Sequence, residues 1–277
     1  MQVILSTPPS PPSDVLTVWS VAPALLALVG YALSATRRLP WAQRWALPLA
    51  WAAHGLALLA HLFGVGLPGS GARFGFAPAL SATAWLVVTV HAVESRFVPL
   101  DGLRRWMAAL GGLGVLLALA FPGEGAVHAA SPWAPLHWLA GLASYGLFGA
   151  AVLHAMLLDR SERALRQRQT PPATGGLPLL TLEKLTFRFV AAGFIVLTLA
   201  LVFGMGFTPA WRWDHKTVFS LLGWGVFAAL LTGRRAFGWR GRRATRWLYV
   251  GTGLLLLAYV GSRFVFEVLL HRSPAGG

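Results

Sequence analysis

Apolar runs recur along the whole chain, and short stretches rich in proline, glycine or charge separate them. About 20 residues of α-helix cross the hydrocarbon core of a bilayer, so each run predicts a transmembrane helix. The breaks define eight such helices, at residues 15–35, 45–67, 77–96, 106–121, 133–158, 188–208, 216–232 and 247–270. We therefore predict an all-α integral membrane protein. Residues 1–14 form a short polar segment, 15–270 a single transmembrane domain and 271–277 a short tail.

The basic residues are distributed unevenly between the connections of these predicted helices. Alternate connections hold 18 of the 23 lysines and arginines, in the stretches "TRRLPWAQR", "RFVPLDGLRR", "DRSERALRQRQTPPATGGLPLLTLEKLTFR" and "GRRAFGWRGRRATR". Positively charged loops of membrane proteins stay in the cytoplasm. We therefore predict that these four connections are cytoplasmic and that both termini lie on the outer, periplasmic side.

The composition agrees with this topology and removes several classes of function. The chain is 56% hydrophobic and 12% charged, and it has no cysteine. Disulfides, thiolate metal sites and thiol–disulfide exchange are therefore excluded. The net charge of +14 is explained by the cytoplasmic connections, which touch the lipid bilayer, so we predict no nucleic-acid partner. No hydrolytic or phosphoryl-transfer motif is present, and we assign no catalytic residue.

Histidine and tryptophan gather at the predicted outer face. Four histidines fall there: His128, His137, His215 and His271. Four tryptophans fall on the same side: Trp133, Trp138, Trp211 and Trp213. Imidazole binds a metal axially, tryptophan stacks on flat rings, and lysine or arginine pairs with carboxylates; haem uses all three. The alternative is an ordinary aromatic belt at the membrane interface.

One stripe of the predicted fifth helix carries polar groups at helical spacing. The stretch "HWLAGLASYG" places His137, Gly141, Ser144 and Tyr145 on one face. This face either contributes to a ligand site or forms a small-residue packing seam whose hydroxyls bond to neighbours.

Charged groups near the outer ends of the last helices have two interpretations. Arg263 lies within the last predicted span, where an arginine needs a partner. That partner is either Glu267, four residues on, or a ligand carboxylate. Asp214 and Lys216 either take part in a ligand site or form a charged helix start that Asp214 caps.

His54 is predicted near the middle of the second span, and His61 lies seven residues further on. Two histidines on one straight helix cannot take the two opposite axial positions of one metal. Either one would need a partner from another span.

The half of the chain from about His137 onward resembles the CcsA-type cytochrome c assembly proteins, and most closely their YpjD/HemX-like branch. The matching pieces are, in order, "LHWLAGLASYG", "LPLLTLEKLTF", "WRWDHKTVFSLLGW", "GWRGRR" and "AYVGSRFVFEVLLH". In that family a tryptophan-rich segment at the outer face presents haem, and two flanking histidines ligate the iron. The resemblance thus implies Trp211, Trp213 and Asp214 as the presenting segment, and His137 and His271 as ligands of the iron.

The chain departs from the larger family members at three points. The front of the tryptophan-rich motif is missing, and His215 replaces the proline that usually follows the aspartate. His215 is therefore a further candidate ligand. Thr232 occupies the position of a membrane histidine, and His54 is the candidate for a remnant of that membrane pair.

Our sequence prediction is a protein of the bacterial inner membrane that binds haem non-covalently and handles it for cytochrome c assembly. Arg263 or Lys216 would pair with the propionates. Expected partners are other membrane proteins of cytochrome c assembly and an apocytochrome c; the chain itself is at most a haem-handling component. One alternative is a regulator or scaffold of the same fold that acts through protein contacts. Another is a secondary transporter, for which His54 offers the only mid-membrane polar group.

Overall fold

In the computed structural model the described residues are 13–36, 40–62, 72–97, 103–127, 133–168, 178–207 and 213–269. Within them the chain forms eight long helices, each overlapping one predicted apolar run. They are α1 (Ser13–Ala35), α2 (Pro40–Leu62), α3 (Phe76–Glu94), α4 (Arg104–Ala120), α5 (Ala134–Arg166), α6 (Leu179–Phe207), α7 (His215–Phe237) and α8 (Gly241–Leu256). After α8 the helix continues through residues 257–269, first as the π-helical stretch Leu257–Gly261. We call residues 257–269 the α8 extension.

Several helices run further into the charged connections than the apolar pattern predicts. Helix α5 ends at Arg166 rather than near 158, α6 begins at Leu179 rather than 188, and α8 begins at Gly241 rather than 247. An apolar window stops at the first charged cluster, but leucine, glutamate, arginine and lysine are good helix formers. The backbone therefore remains helical beyond the apolar segment.

Five of the described helices are long and apolar enough to cross a bilayer. They comprise Arg44–Leu62 of α2, all of α3, α5 and α7, and Leu179–Gly206 of α6. A shorter apolar helix covers Val21–Ala35. The chain is therefore a multi-pass membrane protein. The count of eight spans and the orientation of the termini stay predictions.

The helices pack as two groups of four. Helix α1 packs against α2 and α4, and α3 packs against α4; in the second group α5 packs against α6 and α8, and α7 packs against α8 and α6. The groups meet mainly where α3 contacts α5 and the α8 extension. Each group has its own core: Phe148 and Phe227 stack at 3.9 Å between ring centroids in the second, while Tyr31 and Val115 are buried in the first. The bundle thus has an internal boundary, along which a cavity can form.

A two-stranded ribbon is the one departure from all-α structure among the described residues. Strand β1 (Ala72–Phe74) pairs antiparallel with β2 (Glu124–Val127). The strands lie in the connections after α2 and after α4, so these two connections meet at the same end of the bundle. Their backbone groups pair with each other there. Hydrophobic periodicity gave no signal for such short strands.

Ion pairs fix the opposite end of the second group. Glu183 of α6 accepts hydrogen bonds from Arg234 at 3.0 Å and from Arg240 at 2.9 Å. The hydrogen bond to Glu183 raises the pKa of Arg240, which therefore stays charged. Glu94 of α3 lies 3.2 Å from Nε2 of His154 on α5, a contact between polar side chains that joins the two groups. These contacts involve acidic residues that sequence spacing alone did not pair.

Candidate functional site

A cavity of about 290 Å³ lies between the two groups of helices. Its walls come from α2, α3, α5, α6, α7 and the start of the α8 extension, at the end of the bundle where α2 ends and α5 and α7 begin. Most of the lining is apolar, and its polar members include His61, His137, Ser144, Tyr145, Lys216 and Tyr259. This size is near the lower end of the range of small-molecule sites, roughly 300–1,000 Å³. Apolar walls with a few convergent polar groups are typical of a ligand site.

His137 enters the cavity from the first turn of α5 with its ring orientation fixed. Its Nδ1 lies 2.7 Å from the carbonyl oxygen of Ala200 on α6. A carbonyl can only accept, so the hydrogen is on Nδ1 and the lone pair of the neutral ring is on Nε2. Gly204 permits this approach, because a Cβ there would lie 3.1 Å from the His137 ring. Metal-binding histidines are commonly oriented in this way by a carbonyl.

His61 enters the same cavity from the last turn of α2. Its Nε2 lies 2.6 Å from the carbonyl oxygen of Pro122, in the connection after α4. By the same argument the hydrogen is on Nε2 and the lone pair is on Nδ1. From the sequence, His61 could act as a ligand only with a partner from another span, and that partner was not identified. The missing information was that α2 and α5 border the same space.

The polar stripe of the fifth helix also lines this cavity. Gly141, Ser144 and Tyr145 contribute to the wall beside His137. The Ser144 hydroxyl donates to the carbonyl of Gly141 at 2.7 Å, and the Tyr145 hydroxyl donates to the carbonyl of Leu255 on α8. Both hydroxyls therefore donate their hydrogen bonds to backbone carbonyls. This agrees in part with the packing-seam alternative. This face of α5 therefore packs against a neighbouring helix and also forms part of the cavity wall.

Asp214 begins α7 as its N-cap. It accepts a hydrogen bond from the backbone N–H of Thr217 at 2.8 Å, which confirms the capping alternative. Burial raises the pKa of Asp214, but the hydrogen bonds with Thr217 and the neighbouring charges of Lys216 and His215 together outweigh that effect, so the pKa lies below its ordinary value. The carboxylate is therefore ionised at neutral pH.

Two cations lie together at this end of the bundle. Lys216 lines the cavity, and the charges of Arg263 and Asp214 both act on it. The guanidinium of Arg263 also lies 6.0 Å from the ring centroid of Tyr259, on the cavity wall. The side chain of Glu267 lies outside the described residues. Two neighbouring cations beside one carboxylate leave a net positive charge, which suits an anionic ligand.

Two further sequence-predicted site residues, Trp213 and His215, do not line the described cavity. Trp213 is 73% exposed, and His215 is exposed at the start of α7; neither contributes to the described cavity wall. Trp211 and His271 lie outside the described residues. The structure therefore brings His137 together with Lys216, and places Asp214 and Arg263 nearby.

His54 is a buried member of the first core. It is 1% exposed, with Nδ1 3.0 Å from the hydroxyl of Tyr31 and Nε2 2.9 Å from the hydroxyl of Ser81. Both ring nitrogens are used by the protein, and His54 is not part of the described cavity wall. A metal would have to displace one of these hydrogen bonds.

Sequence comparisons relate the chain to one family. The profile of the Cytochrome C assembly protein family matches residues 15–270. "Inner membrane protein YpjD" of Escherichia coli strain K12 is 28% identical over 266 residues, covering 89% of this chain and 98% of the relative. "Cytochrome c biogenesis protein CcsA" of Synechococcus sp. strain CC9902 is 30% identical over 158 residues, which is 47% of this chain and 52% of the relative. No solved structure matches the chain significantly.

Proposed function

The chain belongs to the cytochrome c assembly protein family, and on that premise we propose that it binds haem non-covalently and presents it at the outer face of the bacterial inner membrane. The full-length relative from Escherichia coli is named an inner membrane protein, and the partial relative from Synechococcus is named a cytochrome c biogenesis protein. We adopt the topology of eight spans with both termini outside, which the uneven distribution of basic residues supports.

The cavity between the two helix groups carries this proposal. It combines an oriented imidazole at His137, a cation at Lys216 and apolar walls. Haem is an apolar ring with two carboxylates and an iron whose axial positions accept imidazole nitrogen. The donor set of the cavity fits such a group. The positive-inside topology also places this end of the bundle at the outer face.

Each predicted site residue then has a role. His137 would ligate the iron through Nε2, since Nδ1 is held by Ala200. Lys216 and Arg263 would hold the propionates. Asp214 fixes the start of α7 and with it the position of Lys216.

The remaining roles rest on the resemblance. Trp211 and Trp213 would extend the aromatic surface beside the ring, while His271 and His215 are candidates for the second axial position. Haem would be the group that is handed on. The chain supplies binding and orientation, with other assembly proteins and an apocytochrome c as partners.

The test is an absorption spectrum of the protein purified in detergent and supplied with ferric haem. The wild type is compared with His137→Ala and His271→Ala in oxidised and reduced forms. We expect a Soret band and a low-spin spectrum in the wild type, and loss of the low-spin form in His137→Ala. A wild type that binds no haem contradicts the proposal.

A regulator or scaffold is the second candidate. Thr232 stands where larger members carry a membrane histidine, and both nitrogens of His54 bond to Tyr31 and Ser81. These observations argue against a second haem within the membrane. A colourless protein that still binds an assembly partner would favour this role.

A further inference from the structure

Two histidines from different helix groups border the cavity, and we propose that His61 is the ligand opposite His137, so that one haem is held across the boundary between the groups. This inference rests on the proposed haem binding and assigns the second axial position. It gives the first four helices a direct part in the site.

The first argument is position. His61 ends α2 in the first group, and His137 begins α5 in the second, yet both contribute to the same cavity wall. A pair on one straight helix cannot occupy opposite axial positions, and this limit applies to His54 with His61. It does not apply to His61 with His137, because separate helices carry them.

The second argument is that both rings are held in the same way. Each imidazole donates one N–H to a backbone carbonyl, His61 to Pro122 at 2.6 Å and His137 to Ala200 at 2.7 Å. Each therefore keeps its lone pair on the other nitrogen, Nδ1 in His61 and Nε2 in His137. A carbonyl acceptor on the far nitrogen fixes the ring and increases its basicity as a ligand.

The third argument is the number of protein donors. The described residues contain no group of three or more His, Asp or Glu side chains suited to a free metal ion. Two imidazoles leave most coordination positions of an iron ion unfilled. A porphyrin supplies four nitrogens, so a two-histidine set is what haem requires and what a free metal ion does not favour.

The anchor of His61 links the site to a second connection. Pro122 precedes β2, whose strand pairs with β1 in the connection that follows α2. The ribbon and the His61–Pro122 hydrogen bond therefore join the same two connections. Both contacts restrain the position of His61 on the cavity wall, as a positioned ligand requires.

The experiment is a titration of the purified full-length protein with ferric haem, read by absorption and electron paramagnetic resonance. The variants are His61→Ala, His137→Ala and His271→Ala. We expect His61→Ala to bind haem with a high-spin spectrum and at least about 10-fold weaker affinity. Added imidazole should restore the low-spin spectrum of His61→Ala, because a small free ligand can occupy the vacated position. A purely structural role for His61 would give no such rescue.

A second variant covers the case in which His61→Ala is unstable. His61→Met keeps a ligand of similar size, and a methionine–histidine haem has a higher midpoint potential than a bis-histidine haem. We expect a positive shift of the potential in His61→Met. An unchanged potential overturns the inference.

The outcomes separate the two proposals. A low-spin wild type that depends on His137 and His271 but is indifferent to His61 overturns this inference and leaves the proposed function standing. A wild type without haem overturns both.

Discussion

Two histidines in neighbouring parts of the bundle show how one side chain serves different ends. His54, inside the first core, uses both ring nitrogens within the protein, through Tyr31 and Ser81. His137, on the cavity wall, is held by a carbonyl acceptor through Nδ1, which assigns its lone pair to Nε2. Burial alone does not make a histidine a ligand. What distinguishes the two is their position: His54 is enclosed in a core, whereas His137 lines a cavity that a ligand could enter.

The neighbours of the two histidines differ in the same way. Around His54 the partners are neutral hydroxyls in a close-packed core. Around His137 the wall includes Lys216, with Arg263 close enough for its charge to act on that lysine. The first environment suits a neutral side chain that stabilises helix packing. The second suits an anion.

The largest effect on stability is expected at His54. His54→Ala leaves the buried hydroxyls of Tyr31 and Ser81 without this partner, which costs about 1–3 kcal/mol for an unsatisfied group. The thermal unfolding midpoint in detergent should fall. Tyr31→Phe removes only one of the two hydrogen bonds and should lower the midpoint less. Equal midpoints for His54→Ala and the wild type would show that the hydrogen bonds of His54 do not stabilise the first core.

A smaller effect, on affinity, is expected at Lys216. Lys216→Gln removes a cation from the cavity wall, and a hydrogen bond to a charged group contributes about 1.5 kcal/mol or more. Haem affinity should therefore fall about 10-fold. The control is the dimethyl ester of the same porphyrin, which lacks the carboxylates and should bind both proteins alike. An affinity loss of the same size for the ester would show that Lys216 does not pair with propionate.

The smallest effect is expected at the start of α7. Asp214→Ala removes the hydrogen bond to the N–H of Thr217 and should cost about 1 kcal/mol, while Asp214→Ser keeps a capping oxygen and should restore most of it. Burial raises and the Thr217 hydrogen bonds lower the pKa of Asp214, with a net decrease. The contribution of the carboxylate is therefore present above the ordinary aspartate pKa, about 3.9, and is lost as pH falls through the lower folded value. Unfolding midpoints of the three proteins between neutral and acidic pH would measure both effects. A difference that grows toward low pH would contradict the cap.

The sequence predicts the helices of this fold well, because each apolar run is about as long as a membrane-spanning helix. It does not predict that α5 continues to Arg166 or that α6 begins at Leu179, since residues that favour helix extend past the apolar segment. It also does not predict the ribbon, because β1 and β2 are too short to show a period. Local pattern therefore identifies elements better than their limits.

The sequence predicts some of the residues that line the cavity. The place of His137 near the start of a helix follows from its position in the apolar pattern. The shared cavity of His61 and His137 does not, because it depends on how α2 packs beside α5. The same holds for His54, whose partners Tyr31 and Ser81 are far from it in sequence. Contacts between helices decide which histidines border the cavity, and one sequence contains no direct record of those contacts.

The most direct test of the account compares His137→Ala and His54→Ala in one ferric haem titration, with the wild type alongside. We predict that the folded fraction of His54→Ala keeps the low-spin spectrum of the wild type, while His137→Ala loses it. The opposite pattern, with a normal spectrum in His137→Ala and a lost one in folded His54→Ala, would contradict the assignment of the cavity as the haem site.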